Sequence, residues 1–221
     1  MIKAIIFDVG GVLIRTHDHG PRRRWEQKLG IGEWESEYLV FSGADGTAAQ
    51  QGAISDDELW SRIAHQMNLE AAQLEQFRHD FWAGDVLDDR LVDLIRRLRP
   101  TYQTAIISNA TDNLRRLLDE EHSIADAFDL IVCSAEERVL KPDHEIYERT
   151  LSRLGREPHE AVFVDDSQDN VTAARSLGMH AIHYHEGLDL QATLSRLGIE
   201  LSGDNESLAG RTESKGEQSN V

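Results

Sequence analysis

The sequence has a single cysteine, Cys133, among 221 residues, which excludes an intrachain disulfide. It also lacks any apolar run of the length that a bilayer requires. The apolar stretch at residues 1–7 is too short for a secretory signal, and Asp8 follows it directly. From these absences we expect a cytoplasmic protein that has no membrane partner.

Basic residues are also scarce, because 23 Lys and Arg stand against 40 Asp and Glu, giving a formal net charge of -17. A nucleic acid or an anionic membrane requires a basic protein surface, so neither is expected as a partner. A small phosphorylated molecule is compatible with this charge, because a divalent cation and one lysine can supply the positive charge that it needs. The sequence gives no indication of the oligomeric state.

Five short apolar segments rich in Ile and Val predict buried parallel strands, at residues 3–9, 104–108, 130–134, 161–165 and 180–184. From the second strand onward, helical patterns alternate with them, at residues 113–121, 143–154, 168–177 and 188–197. This alternation predicts right-handed crossovers. The fold class is therefore expected to be α/β, with a Rossmann-like doubly wound parallel sheet.

The segment between the first two strands is far longer than one crossover helix requires. Most of it has helical patterns, including an S-x-x-E capping box at Ser55 and Glu58. We therefore predict an inserted α-helical cap at residues 15–85, between core segments at residues 1–14 and 86–201.

Further expectations concern particular segments. Small and polar residues at 43–53 predict a loop between two helices of the insertion, and residues 87–98 predict a helix that returns the chain to the core. Residues 202–221 contain almost nothing apolar and predict a disordered tail. The insertion holds all four tryptophans, which we expect to form its hydrophobic core: Trp25, Trp34, Trp60 and Trp82.

Four of the five predicted strands lead into polar residues suited to phosphate chemistry, in chain order Asp8, Ser108 with Asn109, Lys141, and Asp165 with Asp166. In an open α/β sheet, ligands bind outside the carboxyl ends of the strands. Each residue alone is common as a helix cap or a surface charge. Their coincidence at one sheet edge favours a functional site.

The chemistry of these side chains suggests a division of roles. A carboxylate such as Asp8 can attack phosphorus and form a covalent aspartyl-phosphate. Asp8, Asp165 and Asp166 together would form a hard oxygen site suited to Mg²⁺. Ser108 and the backbone amides that follow it can hold a phosphate. Lys141 can neutralise charge on both the phosphate and the nucleophile.

The chain resembles the haloacid dehalogenase (HAD) superfamily of hydrolases over roughly residues 1–200. Four segments resemble its four signature motifs in order: FDVGGVL at residues 7–13, ISN at 107–109, LKPD at 140–143 and VFVDDSQDN at 162–170. The order and spacing of the motifs, with a helical insertion after the first, fit the subgroup that carries a helical type 1 cap.

This resemblance implies a Mg²⁺-dependent phosphatase for a small phosphorylated metabolite, with Asp8 as the nucleophile and Lys141 as a second catalytic residue. It assigns substrate binding to the second and third motifs, at Ser108, Asn109 and Lys141. It assigns the metal to three carboxylates and one backbone carbonyl, with Asp165 bound directly or through water: Asp8, Asp165, Asp166 and Gly10. Asn109 and Asn170 are expected to orient their neighbours.

Position 10 departs from the pattern of the family. Its phosphatases usually carry a second aspartate two residues after the nucleophile, as general acid and base, whereas this chain has Gly10. General acid–base catalysis contributes roughly 10²–10⁴-fold. The loss could be offset by a good leaving group, such as an anomeric or acyl phosphate, or by another side chain, such as His17, Asp18 or a cap residue.

Gly10 also keeps two other functions open. One is a 2-haloacid dehalogenase, which works without a metal, and the other is a catalytically weak protein that binds a phosphorylated ligand. The pair Asp165 and Asp166 favours the phosphatase, because two adjacent carboxylates beside Asp8 call for a cation.

Overall fold

The structure is a computed structural model that describes residues 1–201, so the tail predicted at residues 202–221 lies outside the described residues. Its main sheet contains β1 (Ala4–Phe7), β4 (Gln103–Ser108), β5 (Leu130–Cys133), β6 (Ala161–Asp165) and β7 (His180–His183). These strands are parallel, in the order β5-β4-β1-β6-β7. The five predicted strands are confirmed.

Strand β1 shows why the strands are continuous apolar runs. Ile5 and Phe7 pack into one hydrophobic cluster, and Ala4 and Ile6 pack into another. Successive side chains of a strand point to opposite faces, so helices cover both faces of the sheet. The doubly wound α/β fold is thereby confirmed.

Five helices of the core lie close to their predicted positions: α6 (Asp89–Leu98), α7 (Leu114–Arg116), α9 (His144–Leu154), α10 (Gln168–Ser176) and α11 (Leu190–Arg196). A further short helix, α8 (Ser134–Glu137), was not predicted. A π-helical segment, Leu117–Glu121, continues α7. The cluster on one face of the sheet includes residues of α6 and α11, whereas the cluster on the other face includes residues of α9 and α10.

The insertion between β1 and β4 is helical: α1 (Gly20–Leu29), α2 (Glu35–Glu37), the π-helical segment Tyr38–Ser42, α3 (Ala44–Gln50), α4 (Asp56–Met67) and α5 (Ala71–Trp82). Its hydrophobic cluster, with Trp60 and Phe77 at its centre, is separate from the two clusters of the sheet. The Ser55 side chain caps α4 by accepting from the Glu58 backbone N–H, which is one of the two bonds of the predicted capping box. Within residues 1–201, no helix has both the length and the apolarity to cross a membrane.

Two expectations about the insertion are wrong. Helix α3 occupies most of the loop predicted at residues 43–53. Its small residues reflect close packing, because a Cβ atom at Gly46 would lie 2.5 Å from the Val40 carbonyl oxygen. Moreover, only two of the four tryptophans are in the core, since Trp34 and Trp82 are 48% and 42% exposed.

A short antiparallel pair connects the insertion to the core, which the sequence analysis did not predict. Strand β2 (Ile14–Thr16) pairs with β3 (Asp85–Leu87), so the chain leaves the core and returns to it at one place. Helix α6 consequently begins at Asp89, two residues later than predicted, and the Asp88 side chain caps it by accepting from the Leu91 backbone N–H.

Side-chain hydrogen bonds join the insertion to the core at a second place. Thr111 Oγ1 donates to Asp56 Oδ1 at 2.8 Å, and the Asp56 backbone N–H donates to Asp112 Oδ1 at 2.9 Å. Ser134 Oγ donates to the Gln50 backbone carbonyl at 2.7 Å. These contacts connect the insertion to the segment that follows β4 and, through Ser134, to the start of α8 after β5.

Candidate active site

The order of the strands brings the predicted residues together. Because β1 lies between β4 and β6, Phe7 is opposite both Ile106 and Val164. Asp8 therefore follows the central strand, with the carboxyl ends of β4 and β6 on either side. Asp8 is 8% exposed, and its Oδ1 atom accepts from the Val9 backbone N–H at 2.7 Å.

Lys141 lies between two carboxylates. Its Nζ atom is 2.7 Å from Asp8 Oδ1 and 2.7 Å from Asp165 Oδ2. The side chain is 1% exposed, so its charge is compensated by these two acids rather than by solvent. This arrangement agrees with the expectation that Lys141 neutralises the nucleophile.

Asn109 holds the backbone of Lys141 with both ends of its amide. Its Nδ2 atom donates to the Lys141 carbonyl at 2.9 Å, and its Oδ1 atom accepts from the Lys141 N–H at 2.8 Å. The structure therefore shows Asn109 as a residue that positions Lys141. Its predicted contact with the substrate stays a prediction.

The adjacent residues Asp165 and Asp166 have different surroundings. Asp165 is fully buried, and it accepts from Lys141, from the Ser167 backbone N–H at 2.8 Å and from Asn170 Nδ2 at 3.0 and 3.1 Å. Asp166 is exposed and lines a cavity. Ligand oxygens of Asp8, Asp165 and Asp166 lie within 4.8 Å of one another, and the hydrogen bonds of Asp165 favour Asp8 and Asp166 as direct metal ligands.

Gly10 and Gly11, which follow Asp8 and Val9, differ in the space around them. A Cβ atom at Gly10 would have no atom within 4 Å, so a side chain fits there. Gly11 has φ +73°, and a Cβ atom there would lie 2.0 Å from Asp166 Oδ2. Gly11 is therefore required both by its backbone conformation and by the approach of the Asp166 carboxylate, a role that the sequence analysis did not assign.

Burial and charge set the protonation of the acids. Burial raises the pKa of Asp8 to about 7, because desolvation and the nearby Asp165 outweigh the favourable charge of Lys141. The pKa of Asp166 is also raised, first because the surrounding protein partly shields this carboxylate from water and second because Asp165 lies beside it. Such a site favours a bound cation, which would stabilise both carboxylates in their ionised form.

A pH effect on stability follows for buffer without divalent cations. The ordinary pKa of an aspartate is 3.8, and that of Asp8 in the folded protein is about 7. Between these values the folded state holds a proton that the unfolded state releases, so stability falls as pH rises from about 4 to about 7. The Asp8→Asn variant lacks this titration. We therefore expect the difference in melting temperature, variant minus wild type, to be several degrees larger at pH 8 than at pH 5. In a chain of this size, 1 kcal/mol corresponds to roughly 2–4 °C.

Differential scanning calorimetry of both proteins at the two pH values measures this gain. Titrating acids distant from Asp8 are common to both proteins and cancel in the difference. A difference in melting temperature that is the same at pH 5 and pH 8 would contradict the raised pKa of Asp8.

Asp8, Gly10, Ser108 and Asp166 line a cavity of about 1290 Å³, whose opposite side is formed by residues of the insertion. Ser108 is 4% exposed. His17 and Asp18, considered as replacements for the missing acid, are exposed and do not line this cavity, whereas the neighbouring His19 does.

Comparisons with known proteins agree with this geometry. A sequence profile of the haloacid dehalogenase-like hydrolase family matches residues 2–178. A sesquiterpene phosphatase from Aspergillus oryzae is 28% identical over 84% of this chain and 91% of its own length. A D-ribitol-5-phosphate phosphatase from Bacteroides thetaiotaomicron is 24% identical over 88% of this chain and 98% of its own length. The chain spans only 37% and 18% of two further, longer relatives.

Among solved structures, a HAD family enzyme from Bacteroides thetaiotaomicron, in complex with magnesium and inorganic phosphate, superposes with a TM-score of 0.74. It is 23% identical and covers 87% of this chain and 99% of its own, which establishes a common fold. The fold, the family profile and the phosphatase relatives all agree. The chain is a hydrolase that belongs to the haloacid dehalogenase-like family.

Proposed function

We propose that this protein is a Mg²⁺-dependent phosphatase that acts on a small phosphorylated molecule through an aspartyl-phosphate on Asp8. The observation that carries the proposal is the convergence of Asp8, Asp165 and Asp166 within 4.8 Å, with Lys141 between the first two. One lysine among three carboxylates leaves excess negative charge, which a divalent cation would balance.

The donor set fits magnesium, because it consists of hard oxygen ligands. Asp8 and Asp166 would bind the metal directly, with the backbone carbonyl of Gly10. Asp165 would act through water, because its oxygens already accept several hydrogen bonds. When bound, the metal supplies positive charge that draws the phosphate toward the nucleophile. The enzyme of the same fold that was crystallised with magnesium and inorganic phosphate supports this assignment.

Each residue of the site has its own role in the proposed reaction. Asp8 attacks phosphorus in line with the leaving oxygen, and its Oδ1 atom is held by Val9 and Lys141 during the attack. Lys141 offsets charge on Asp8 and on the phosphoryl group, and Ser108 donates a hydrogen bond to a phosphate oxygen. Water then hydrolyses the aspartyl-phosphate and regenerates Asp8. The helical insertion at residues 15–85 serves as a cap that covers the cavity.

Hydrolysis of p-nitrophenyl phosphate, with Mg²⁺ and with a chelator in its place, tests this function. Its leaving group needs little protonation, so Gly10 does not obscure the chemistry. We expect turnover that requires Mg²⁺. No turnover in a folded protein that binds Mg²⁺ would overturn the proposal. Halide release from a 2-haloacid without metal would identify the dehalogenase, and the absence of both would identify a binding protein.

The Gly11→Ala variant tests the metal site separately. The added methyl group would collide with Asp166, so the carboxylate must move from its present position. We expect Mg²⁺ to bind roughly 10–100-fold more weakly, as when a metal ligand loses its orientation. The Mg²⁺ concentration at half-maximal activity measures this effect. Gly30→Ala is a matched control, since Gly30 also has a positive φ of +66° and its Cβ would meet no atom within 4 Å. An unchanged Mg²⁺ requirement in Gly11→Ala would remove Asp166 from the metal site.

The organic part of the substrate is not determined by the relatives. By their names, one acts on a sesquiterpene compound and another on a polyol phosphate. The first would present a hydrocarbon to the cavity and the second would present hydroxyl groups. The side chains that line the cavity are therefore the evidence that distinguishes a hydrocarbon group from a polyol.

A further inference from the structure

Two exposed aromatic side chains of the insertion line the cavity that contains Asp8. Phe41 is 40% exposed and Trp82 is 42% exposed, and their rings meet edge to face with centroids 5.8 Å apart. We call these two residues the aromatic pair. Large apolar side chains left exposed in a concave site mark a surface that binds an apolar group.

The aromatic pair is held in place from behind. Arg22 is 2% exposed, and its guanidinium lies 4.2 Å from the ring of Phe81, a neighbour of both members of the pair. Its Nε atom donates to the Phe81 carbonyl at 2.7 Å, and an Nη atom donates to Asp85 at 2.8 Å. The surface is therefore formed before a ligand binds, which reduces the entropy lost on binding.

The backbone around Phe41 is also held in place. It lies in the π-helical segment Tyr38–Ser42, a type of helix that is frequent at functional sites. The amide of Gln50 donates to the Phe41 backbone carbonyl at 2.7 Å. The side chains of His19 and Glu37, which also line the cavity, are likewise engaged with each other, because His19 Nδ1 lies 3.0 Å from Glu37 Oε1. These groups have less capacity to bind hydroxyl groups of a ligand.

The arginines that line the cavity have their positive charges compensated by carboxylates of the protein. Four arginines line it, and each forms an ion pair within the part of the chain that the structure describes: Arg15 with Asp88, Arg22 with Asp85, Arg78 with Asp56 and Arg116 with Glu121. A second phosphate or a carboxylate on the ligand would have to compete with these carboxylates. The cavity away from Asp8 therefore disfavours a second anionic group on the ligand.

We propose that the substrate is a monophosphate ester of an apolar alcohol, whose hydrocarbon part lies against Phe41 and Trp82 while its phosphate lies at Asp8. This inference rests on the proposed phosphatase function, because the phosphate fixes one end of the ligand. It assigns Phe41 and Trp82 as residues that determine specificity. A polyol phosphate would leave the aromatic pair in contact with hydroxyl groups, and it is the opposite outcome of the test.

Isothermal titration calorimetry with a series of alkylphosphonates tests the inference without requiring turnover. Methyl-, butyl- and octylphosphonate are titrated into the whole protein with saturating Mg²⁺, beside glycerol 3-phosphate. Each fully buried methylene group contributes about fourfold to affinity. Since part of a chain stays in water, we expect octylphosphonate to bind at least about tenfold more tightly than methylphosphonate, and more tightly than glycerol 3-phosphate. Equal affinity along the series, or tighter binding of glycerol 3-phosphate, would overturn the inference.

Variants locate the effect. Phe41→Ser and Trp82→Ser should each weaken octylphosphonate binding roughly tenfold, with methylphosphonate binding unchanged. Tyr38→Ser and Trp34→Ser are matched controls, since both side chains are exposed on the insertion but do not line the cavity. An equal loss in the controls would overturn the assignment. The series on the wild type needs no variant, so it decides the question even if Trp82→Ser fails to fold.

The outcomes separate this inference from the proposed function. Tight binding of octylphosphonate by a protein that hydrolyses no phosphate ester would overturn the phosphatase and support the apolar site. Turnover of p-nitrophenyl phosphate without any dependence of phosphonate binding on chain length would support the phosphatase and overturn the apolar site.

Discussion

The Asp8→Asn variant is expected to release phosphate from p-nitrophenyl phosphate more slowly by on the order of 10³-fold or more. An amide oxygen is a poor nucleophile, so no covalent aspartyl-phosphate can form at normal rates. The amide is also a weaker metal ligand than the carboxylate. Steady-state kinetics with saturating Mg²⁺ measure the loss, which should appear in kcat because the reaction step itself is affected.

The structure predicts that this variant still folds. Lys141 keeps its ion pair with Asp165, so the lysine is not left without a partner in the protein interior. Asp169→Asn is a suitable control, because Asp169 belongs to the fourth motif but is exposed in the first turn of α10. It should retain the activity of the wild type. Activity of Asp8→Asn close to that of this control would show that Asp8 is not the nucleophile.

The Gly10→Asp variant is expected to gain activity toward esters with poor leaving groups. The position has room for a side chain, because no atom lies within 4 Å of a Cβ placed there. A carboxyl group at this position would protonate the departing alkoxide and activate water, which contributes roughly 10²–10⁴-fold. We expect turnover of an alkyl phosphate to rise within that range, while turnover of p-nitrophenyl phosphate changes little.

Gly10→Asn provides the control for this gain. Asparagine has the same shape as aspartate but cannot transfer a proton, so it should leave the activity of the wild type unchanged. Equal gains in both variants would attribute the effect to packing rather than to acid catalysis. No gain in Gly10→Asp with the alkyl phosphate would contradict this prediction and would indicate that another group already protonates the leaving oxygen.

The core of the fold could be predicted because its signals are local. Residues such as Ile5 and Ile106 belong to strands buried on both faces, so an uninterrupted apolar run identifies each strand. The insertion was harder to predict. The small residues of α3, such as Gly46, suggested a loop, although the close approach to Val40 is what requires them. The pairing of β2 with β3 joins segments far apart in sequence and too short to have a pattern of their own.

The candidate site shows the same division. Asp8, Ser108 and Asp166 could be predicted because each lies at the carboxyl end of a strand and the strand ends converge. Two other features depend on atomic distances that a sequence pattern does not contain. They are the hydrogen bonds of the Asn109 amide to the Lys141 backbone and the close approach of Gly11 to Asp166. Trp82 was expected in the hydrophobic core of the insertion, but it lines the cavity. This position depends on how the insertion packs on the sheet, which the sequence pattern does not contain.

The hydrogen bonds between the insertion and the core have a thermodynamic consequence. Thr111 and Asp112, which bind Asp56 of the insertion, lie three and four residues after Ser108 on the same segment. Separating the insertion from the core breaks these bonds and releases the segment that carries the proposed phosphate contact. Opening and phosphate affinity are therefore linked quantities. If closure of the insertion raises the affinity for phosphate by some factor, bound phosphate raises the equilibrium constant for closure by the same factor. Product release and opening of the insertion are therefore governed by the same coupling free energy.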